Sequence, residues 1–294
     1  MKGHLIKEVH SKGIRLSKKR GQCLLTDNNI MDKILAAADL RPDDLVIDVG
    51  AGPGHLIDRF TGVCGQYFGV EIDKACFKLA QEKAGRIANA EVMHADILAD
   101  KHHLNPDVLD RIEALAGAVK PGRVMLVANL PYHIAAPVIL HFLAQDRIPL
   151  DRMVVMVQRE MAVRLTARPN TPGFGAISVL LQTYARASTA FAVSRNCFFP
   201  KPKVESAVAV IEPMSESERP VARDQLSGFT AFVRAIFNFP KKKVINSILN
   251  AHFVEYSKTE LIETFENNGI SATKSIMACG PEDLAAMYAV LIKG

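Results

Sequence analysis

Short apolar runs alternate with segments of helical periodicity from residue 30 to residue 166, and this alternation is the feature that most constrains the fold. The apolar runs predict strands at 45–50, 67–72, 91–94, 124–128 and 153–157. Helical patterns lie before, between and after them, at 30–38, 75–84, 108–118, 137–143 and 161–165. Strands that alternate with helices form a parallel sheet with helices on both faces. We therefore expect an α/β fold with a parallel sheet, to which extended segments at 189–193 and 206–211 add an antiparallel edge.

A change of pattern near residue 212 divides the chain. The stretch 212–220 is polar, has no apolar periodicity and carries Pro213 and Pro220, as a linker does. Only helical periodicity follows it. We predict a basic N-terminal arm over 1–20, a sheet-containing domain over 21–212 and a small all-helical domain over 213–294.

The composition argues against a membrane protein and against a secreted, disulfide-linked one. No apolar run reaches the ~18 residues that cross a membrane, and residues 1–4 lead into basic residues rather than into the apolar core of a signal peptide. The five cysteines include no closely spaced pair that would hold a metal or form a redox motif. The sequence predicts a cytoplasmic protein with reduced thiols and no metal site.

The charge is modest in total but uneven along the chain. There are 36 basic and 31 acidic residues, which gives a net charge of +5. Basic residues crowd the first twenty positions against a single acid, Glu8, and Lys241, Lys242 and Lys243 form a second cluster. Such clusters supply the salt-sensitive part of nucleic-acid binding, although a solvated protein surface has the same composition.

Glycines at alternate positions, Gly50, Gly52 and Gly54, follow the first predicted strand. Glycine lets the backbone approach a ligand where a side chain would collide. One residue, Pro53, separates the second and third glycines, whereas the dinucleotide fingerprint has two residues there. The spacing favours S-adenosylmethionine over NAD, and a glycine turn without a ligand is the alternative.

An acidic residue stands at the end of each of the next two predicted strands. Glu71 lies 21 residues past Gly50, where a carboxylate can accept hydrogen bonds from both ribose hydroxyls. Asp96 follows the third strand and can accept a hydrogen bond from an adenine amine. A helix cap or a solvated turn explains either residue alone equally well. Both, however, lie in order along the edge of the sheet that binds ligands in α/β folds.

The fourth predicted strand ends in Asn129, Leu130, Pro131 and Tyr132. The Asn129 side chain and the nearby carbonyl of Leu130 are paired acceptors for an exocyclic amine, and Tyr132 offers a flat face to a planar base. The purely structural alternative is a buried strand that turns at Pro131. The combination predicts a pocket in which the amine of a base is methylated.

These motifs resemble those of the ribosomal RNA adenine dimethyltransferases over nearly the whole chain. The resemblance rests on GQCLL at 21–25, the glycine turn, Glu71, Asp96, NLPY at 129–132 and FFPKPKVESAV at 198–208. The last of these strings is the most specific. Within the family, Leu130 and the segment 241–248 are more similar to the housekeeping, KsgA-type enzymes of the small ribosomal subunit than to the macrolide-resistance enzymes.

The resemblance implies a Rossmann-like S-adenosylmethionine-dependent methyltransferase domain with a small helical domain after it. It also implies contacts to S-adenosyl-L-methionine from Cys23, Leu25, Gly50, Glu71, Asp96 and Asn129, with Gly52 and Gly54 in the same turn as Gly50. Cys23 is a departure, because the family usually has asparagine there and a thiol is a poor replacement for an amide. His133 and the longer stretch 100–122 are further departures.

The mechanism that the resemblance implies depends on orientation. A target adenosine leaves its stack and lies against Tyr132 and Phe198, whose stacking, typically ~1 to 3 kcal/mol per base, offsets the loss of base stacking. The alternative for Phe198 and Phe199 is core packing beside a proline-rich turn, and we expect one of the two to do only that. Asn129 and the carbonyl of Leu130 then turn the amine toward the methyl group, so that positioning rather than a strong base provides the rate. Five lysines would contact RNA phosphates or solvate the surface: Lys201, Lys203, Lys241, Lys242 and Lys243.

We therefore expect an enzyme that dimethylates adenosines of 16S rRNA in precursors of the small ribosomal subunit. We expect it to act as a cytoplasmic monomer whose helical domain docks on the particle. The alternatives are a resistance-type enzyme that acts on 23S rRNA and a non-enzymatic ribosome-assembly factor. A dinucleotide oxidoreductase is disfavoured by the spacing of the glycine turn.

Overall fold

The computed structural model describes residues 2–14, 16, 21–101 and 103–292, and it divides into two compact units. One unit contains Met1–Ala162 and Ser188–Pro213, and the other contains Val163–Ala187 and Met214–Gly294. The expected boundary near residue 212 is therefore one of several points where the chain passes between units. The expectation of an unbroken domain over 21–212 differs from the structure at Val163–Ala187, which groups with the C-terminal helices.

The strands are β1 (Leu24–Leu25), β2 (Leu45–Val49), β3 (Gln66–Glu71), β4 (Ala90–His94), β5 (Val124–Asn129), β6 (Arg152–Gln158), β7 (Ala185–Val193), β8 (Phe198–Phe199) and β9 (Ser206–Pro213). Seven of them form one sheet in the order β4, β3, β2, β5, β6, β9, β7. Neighbours from β4 to β6 pair in parallel, and β9 pairs antiparallel with β6. The predicted α/β sheet with an antiparallel edge is confirmed.

The middle of this sheet determines where a ligand can bind. Every residue of β2 is buried, as expected of a parallel strand covered on both faces. The strand order reverses beside β2, because β3 and β4 lie on one side of it and β5 and β6 on the other. The connections after β2 and β5 therefore leave in opposite directions and open a crevice at the carboxyl ends of these strands. The glycine turn and Asn129 lie at this crevice.

The buried carboxylate of Asp44, at the start of β2, fixes the other end of the same strands. It accepts hydrogen bonds from Arg123 Nε at 3.0 Å and Arg123 Nη2 at 2.7 Å, and from the Arg41 N–H at 2.7 Å. Arg123 immediately precedes β5, so this bidentate ion pair holds the starts of β2 and β5 together. Such a charge-assisted pair holds both position and direction.

The helices along this part of the chain are α1 (Lys2–Ser11), α2 (Asn28–Ala38), α3 (Ile57–Thr61), α4 (Lys74–Ala84), α5 (Pro106–Val119), α6 (Ala135–Ala144) and α7 (Arg159–Thr166), of which α2, α3, α4 and α5 pack against strands of the sheet. The side chain of Asp27 accepts hydrogen bonds from backbone N–H groups at the start of α2, and Asp73 does the same for α4. These caps satisfy donors that a helix start would otherwise leave unpaired. The helices α2 and α4 to α7 follow the predicted pattern.

The helix α1 was not predicted, because its residues belong to the expected basic arm. It docks on α4 through ion pairs from Lys83 to Glu8 at 3.1 Å and from Lys12 to Glu82 at 2.9 Å. Val9 is fully buried in a cluster with Leu24, Cys76 and Leu79. The residues Arg15, Lys18, Lys19 and Arg20 of the expected arm lie outside the described residues.

The second unit contains α8 (Ala176–Tyr184), α9 (Leu226–Ile236), α10 (Val244–Asn250), α11 (Lys258–Asn267) and α12 (Pro281–Leu291). Its core includes a cluster of aromatic rings, Phe229, Phe232, Phe253 and Tyr288, with neighbouring centroids between 5.0 and 6.3 Å. The sequence did not predict α8, whose apolar residues run consecutively because the helix is buried on most sides against α9 and α12. Over the residues described, no helix is long and apolar enough to cross a membrane.

Candidate active site

The glycine turn after β2 has a backbone that only glycine adopts without strain. Gly50 and Gly52 have φ angles of 81° and 59°, in the left-handed region that disfavours other residues. A Cβ atom on Gly50 would lie 3.1 Å from Pro131 Cδ, and one on Gly52 would lie 3.3 Å from Leu24 Cδ2. The turn therefore passes close to the ends of β5 and β1, and side chains at these positions would fill the space above it.

Glu71, at the end of β3, holds the turn from the other side. Its Oε2 accepts a hydrogen bond from the Gly52 N–H at 2.8 Å, and its Oε1 accepts one from the Asp73 N–H at 2.7 Å. Burial raises the pKa of Glu71, while these two N–H donors act in the opposite direction. Each carboxylate oxygen has a second lone pair, so the side chain can still accept hydrogen bonds from a ligand.

A cavity of about 230 Å³ opens over the turn. It brings together six of the residues predicted to form the site, namely Cys23, Gly50, Gly52, Glu71, Asn129 and Pro131. Residues that the sequence did not single out also line it, among them Leu16, His55, Ile72, Asp73 and Cys76. Ile72 is 61% exposed, which is unusual for a large apolar residue and makes it an apolar wall at the mouth of the cavity.

Other residues expected to contact the cofactor do not line this cavity. Leu25 is fully buried in the core, so its side chain does not reach the space. Gly54 faces away, because a Cβ atom there would lie 2.8 Å from Ile57 Cδ1 and 2.9 Å from Ala80 Cα. Asp96 is exposed, and its Oδ1 accepts a hydrogen bond from the Leu98 N–H at 3.0 Å, as in a capped turn.

The side-chain amide of Asn129 has a defined orientation at the end of β5. Its Nδ2 donates a hydrogen bond to the backbone carbonyl of Cys23 at 3.1 Å. This bond leaves Oδ1 as the atom that can accept a hydrogen bond from a ligand. Because the contact uses the backbone carbonyl of Cys23, it does not depend on the side chain at that position.

The two residues after Asn129 are fixed by the protein around them. The Leu130 side chain is buried, and its N–H donates a hydrogen bond to the carbonyl of Met156 in β6 at 3.1 Å. Tyr132 is partly exposed, and its hydroxyl is 2.7 Å from the hydroxyl of Ser206, which is fully buried. Burial raises the pKa of Tyr132, so its hydroxyl stays protonated. The ring of Tyr132 is therefore held at its polar end.

Phe198, the second aromatic residue predicted to stack on the base, does not have an exposed ring. Phe198 is 2% exposed and belongs to the core cluster that contains Leu25. The reason is the antiparallel pairing of β1 with β8, in which Leu25 is opposite Phe198 and Leu24 is opposite Phe199. Of the two predicted stacking residues, only Tyr132 keeps exposed surface in this structure.

The lysines predicted to contact RNA are all exposed. Lys201 and Lys203 lie on either side of the buried Pro202 in the segment between β8 and β9. Lys241, Lys242 and Lys243 precede α10 in the second unit, where Lys242 Nζ donates a hydrogen bond to Asn250 Oδ1 at 2.9 Å. Within the described residues, no group of His, Cys, Asp and Glu side chains is arranged to hold a metal ion.

The sheet order, the glycine turn and the carboxylate at the end of β3 are those of a Rossmann-like, nucleotide-binding class of protein. The chain is similar in fold to a dimethyladenosine transferase from Plasmodium falciparum, with a TM-score of 0.73 and 19% identity, over 92% of this chain and 98% of that one. It is also similar to the 23S rRNA methyltransferase ErmE, with a TM-score of 0.64 and 21% identity, over 92% of this chain and 99% of that one. These likenesses confirm the predicted fold.

Sequence comparison identifies the family. The model of the family described as ribosomal RNA adenine dimethylase matches residues 13–293. The ribosomal RNA small subunit methyltransferase A of Natranaerobius thermophilus is 36% identical over 270 residues, which cover 90% of this chain and 86% of that protein. The chain belongs to the ribosomal RNA adenine dimethylase family, as the motifs predicted.

Proposed function

We propose that the protein transfers methyl groups from S-adenosyl-L-methionine to the exocyclic amine of adenosines in small-subunit rRNA, giving dimethyladenosine. The observation that carries this proposal is the amide of Asn129, which is held by the Cys23 carbonyl with its oxygen left to accept a hydrogen bond, at the rim of the cavity over the glycine turn. A small-subunit substrate is supported by a relative named for that activity.

The residues around the cavity fit the proposed cofactor. The glycine turn leaves space where Cβ atoms would approach Pro131 and Leu24. Glu71 would accept hydrogen bonds from the ribose hydroxyls through the lone pairs that the Gly52 and Asp73 N–H groups leave, and the exposed Ile72 would lie against the adenine. When bound, S-adenosyl-L-methionine supplies a methyl group activated by a sulfonium.

The chain's own residues would orient the target amine. Asn129 Oδ1 accepts one N–H of the amine and the Leu130 carbonyl accepts the other, so the nitrogen lone pair turns toward the methyl carbon. The amine would then take the methyl group that S-adenosyl-L-methionine supplies, the cofactor would leave as its uncharged thioether, and the proton of the amine would leave for solvent. Tyr132, held by Ser206, provides the aromatic face for the flipped base. Positioning of this kind supplies a large share of the rate in bimolecular reactions.

Lys201 and Lys203 would contact RNA phosphates close to the aromatic segment, and Lys241, Lys242 and Lys243 would contact them from the helical unit, which we propose docks on the particle. We further propose that the protein works as a cytoplasmic monomer on precursors of the small ribosomal subunit. The total charge of +5 agrees with an anionic partner.

The test is to incubate the protein with labelled S-adenosylmethionine and either undermethylated small subunits or large subunits, digest the RNA and identify the nucleosides. We expect dimethyladenosine from small subunits only, and its loss in Asn129→Ala. Transfer to large subunits alone would show a resistance-type enzyme instead. No transfer to either particle and no cofactor binding would show a non-enzymatic assembly factor.

A further inference from the structure

His55 has no assigned role, although it lies next to the glycine turn. Both of its ring nitrogens are shielded from solvent and have no hydrogen-bond partner among the described residues. Most buried polar groups in proteins have a partner, and one without it is costly enough to require an explanation. His55 also lines the cavity that contains Gly52 and Glu71.

The position of the ring places it beside the turn itself. His55 Nδ1 would lie 3.9 Å from a Cβ atom on Gly52, on the side of the turn that Leu24 also approaches. On the opposite side of the turn, Ala80 of α4 packs against Gly54, where a Cβ atom would lie 2.9 Å from Ala80 Cα. A ligand that occupied the cavity would therefore bring its own polar groups near the imidazole.

The charge state of His55 limits what the ring can bind. Burial and, to a smaller extent, the nearby charge of Lys83 together lower the pKa of His55 to about 3. A neutral imidazole has one N–H donor and one bare nitrogen acceptor. It is suited to an uncharged or anionic oxygen, such as a hydroxyl or a carboxylate, rather than to a cation alone.

We propose that His55 binds the cofactor by a turn of its ring, which brings an imidazole N–H that is shielded in this structure to an oxygen of S-adenosylmethionine, either a ribose hydroxyl or the carboxylate of the amino-acid part. The proposal rests on the proposed function, because it takes the cavity to be the cofactor site. It adds a contact from the residue after the glycine turn to those of the turn and of Glu71. Such a contact supplies the partner that the imidazole lacks among the described residues.

The experiment is calorimetric titration with S-adenosylhomocysteine and with 5′-methylthioadenosine, which keeps the ribose but lacks the amino-acid part. The variants are His55→Leu, His55→Gln, and His141→Leu as a control, since His141 lies on α6 and contacts the Lys101 carbonyl away from this cavity. We expect His55→Leu to weaken S-adenosylhomocysteine binding about 5- to 20-fold, the effect of one lost hydrogen bond. His55→Gln, which keeps a donor, and His141→Leu should bind as the wild type does.

The second ligand locates the contact. A matching loss with 5′-methylthioadenosine would place the hydrogen bond on the ribose, and an unchanged affinity for it would place the bond on the amino-acid carboxylate. Thermal unfolding adds an independent readout. Without ligand, the His55→Leu protein should melt at a higher temperature than the wild type, because the substitution removes a buried polar group that has no partner among the described residues. Added S-adenosylhomocysteine should raise its melting temperature less than it raises that of the wild type.

Equal affinity of His55→Leu and wild type for S-adenosylhomocysteine would overturn the proposal. A buried water would then be the hydrogen-bond partner of the imidazole. The proposed function would survive that result. If the wild type itself failed to bind S-adenosylhomocysteine, both the proposed function and the role of His55 would be overturned.

Discussion

In the proposed cofactor half of the site, formed by Gly50, Gly52, Glu71 and Asn129, the side chains that would meet the ligand are held by hydrogen bonds to the backbone. In the proposed RNA half, formed by Lys201 and Lys203, the side chains are exposed on a segment between two strands. A group that is already fixed loses little entropy when it binds, whereas a solvated lysine contributes mainly charge. The cofactor half should therefore respond sharply to single substitutions, and the RNA half weakly and in proportion to salt.

The largest effect is expected at a buried carboxylate beneath the cofactor half. Burial raises the pKa of Asp48 from 3.8 to about 7, although a hydrogen bond from the Tyr67 hydroxyl at 2.9 Å lowers it. Because the folded-state pKa is above the unfolded one, the stabilisation from the protonated form is complete below pH 4 and is lost as the pH rises through about 7. The full loss is on the order of 4 kcal/mol, at about 1.4 kcal/mol per pH unit.

The variant Asp48→Asn should remove that pH dependence. Its free energy of unfolding in urea should match the wild type near pH 4 and exceed it by up to roughly 4 kcal/mol above pH 8. The difference between variant and wild type is the measured quantity, so other titrating groups cancel. A difference that stays constant from pH 4 to pH 8 would contradict a protonated Asp48 in the fold.

Glu71→Gln should weaken cofactor binding strongly. A glutamine has one acceptor oxygen, so it cannot accept both the Gly52 and the Asp73 N–H groups that Glu71 now accepts. Hydrogen bonds to charged groups contribute about 1.5 to 3 kcal/mol, and we expect the dissociation constant of S-adenosylhomocysteine to rise about 10- to 100-fold.

Asp96→Asn is the matched control for Glu71→Gln. Asp96 is exposed and caps its own turn, so the same carboxylate-to-amide change should alter the dissociation constant less than about 5-fold. Calorimetry on the two variants side by side gives the comparison. A greater loss in Asp96→Asn than in Glu71→Gln would show that the adenine contact outweighs the buried carboxylate.

The aromatic residue between the two halves should show an intermediate effect. Tyr132→Phe and Ser206→Ala each leave one buried hydroxyl without the partner that lies 2.7 Å away. We expect each single change to lower the methyl-transfer rate, and the double variant to lose less than the sum, with a coupling of about 1 kcal/mol. Additive losses would show that the hydrogen bond does not hold the ring.

The smallest effects are expected in the RNA half. Lys201→Ala and Lys203→Ala should each weaken binding to small subunits about 2- to 5-fold at moderate salt. Each should also reduce the slope of log affinity against log salt by about 1, because one phosphate contact is removed. Lys120→Ala, at the exposed end of α5, is a control lysine. An equal loss of small-subunit affinity in all three variants would show that only the total charge of the protein matters, and not the positions of Lys201 and Lys203.

Part of this arrangement could be predicted from the sequence because it is local. Buried parallel strands must be apolar along their length, so β2, β3, β5 and β6 were recognisable, and Glu71 and Asn129 could be placed at their ends. Contacts between distant segments carry no local signal. The Asn129 amide meets the Cys23 carbonyl across 106 residues of chain, and the burial of Phe198 follows from its pairing with Leu25.

Other features were hidden for different physical reasons. The charges of α1 made it look like a solvated arm, although Val9 is buried against α4. The helix α8 shows no periodicity because most of its residues are buried. His55 follows the glycine turn without any pattern of its own, and only its unpaired ring nitrogens draw attention to it.

The most direct test of the contrast between the two halves is to measure single-turnover methyl transfer and small-subunit affinity in the same variants. For Asn129→Ala we expect the transfer rate at saturating RNA and cofactor to fall about 100-fold or more, as when a hydrogen-bonding group that orients the reaction is lost, with subunit affinity unchanged. For the Lys201→Ala, Lys203→Ala double variant we expect the reverse, weaker affinity and an unchanged rate at saturation. A normal rate in Asn129→Ala, or a lysine variant that loses rate at saturation, would contradict the account.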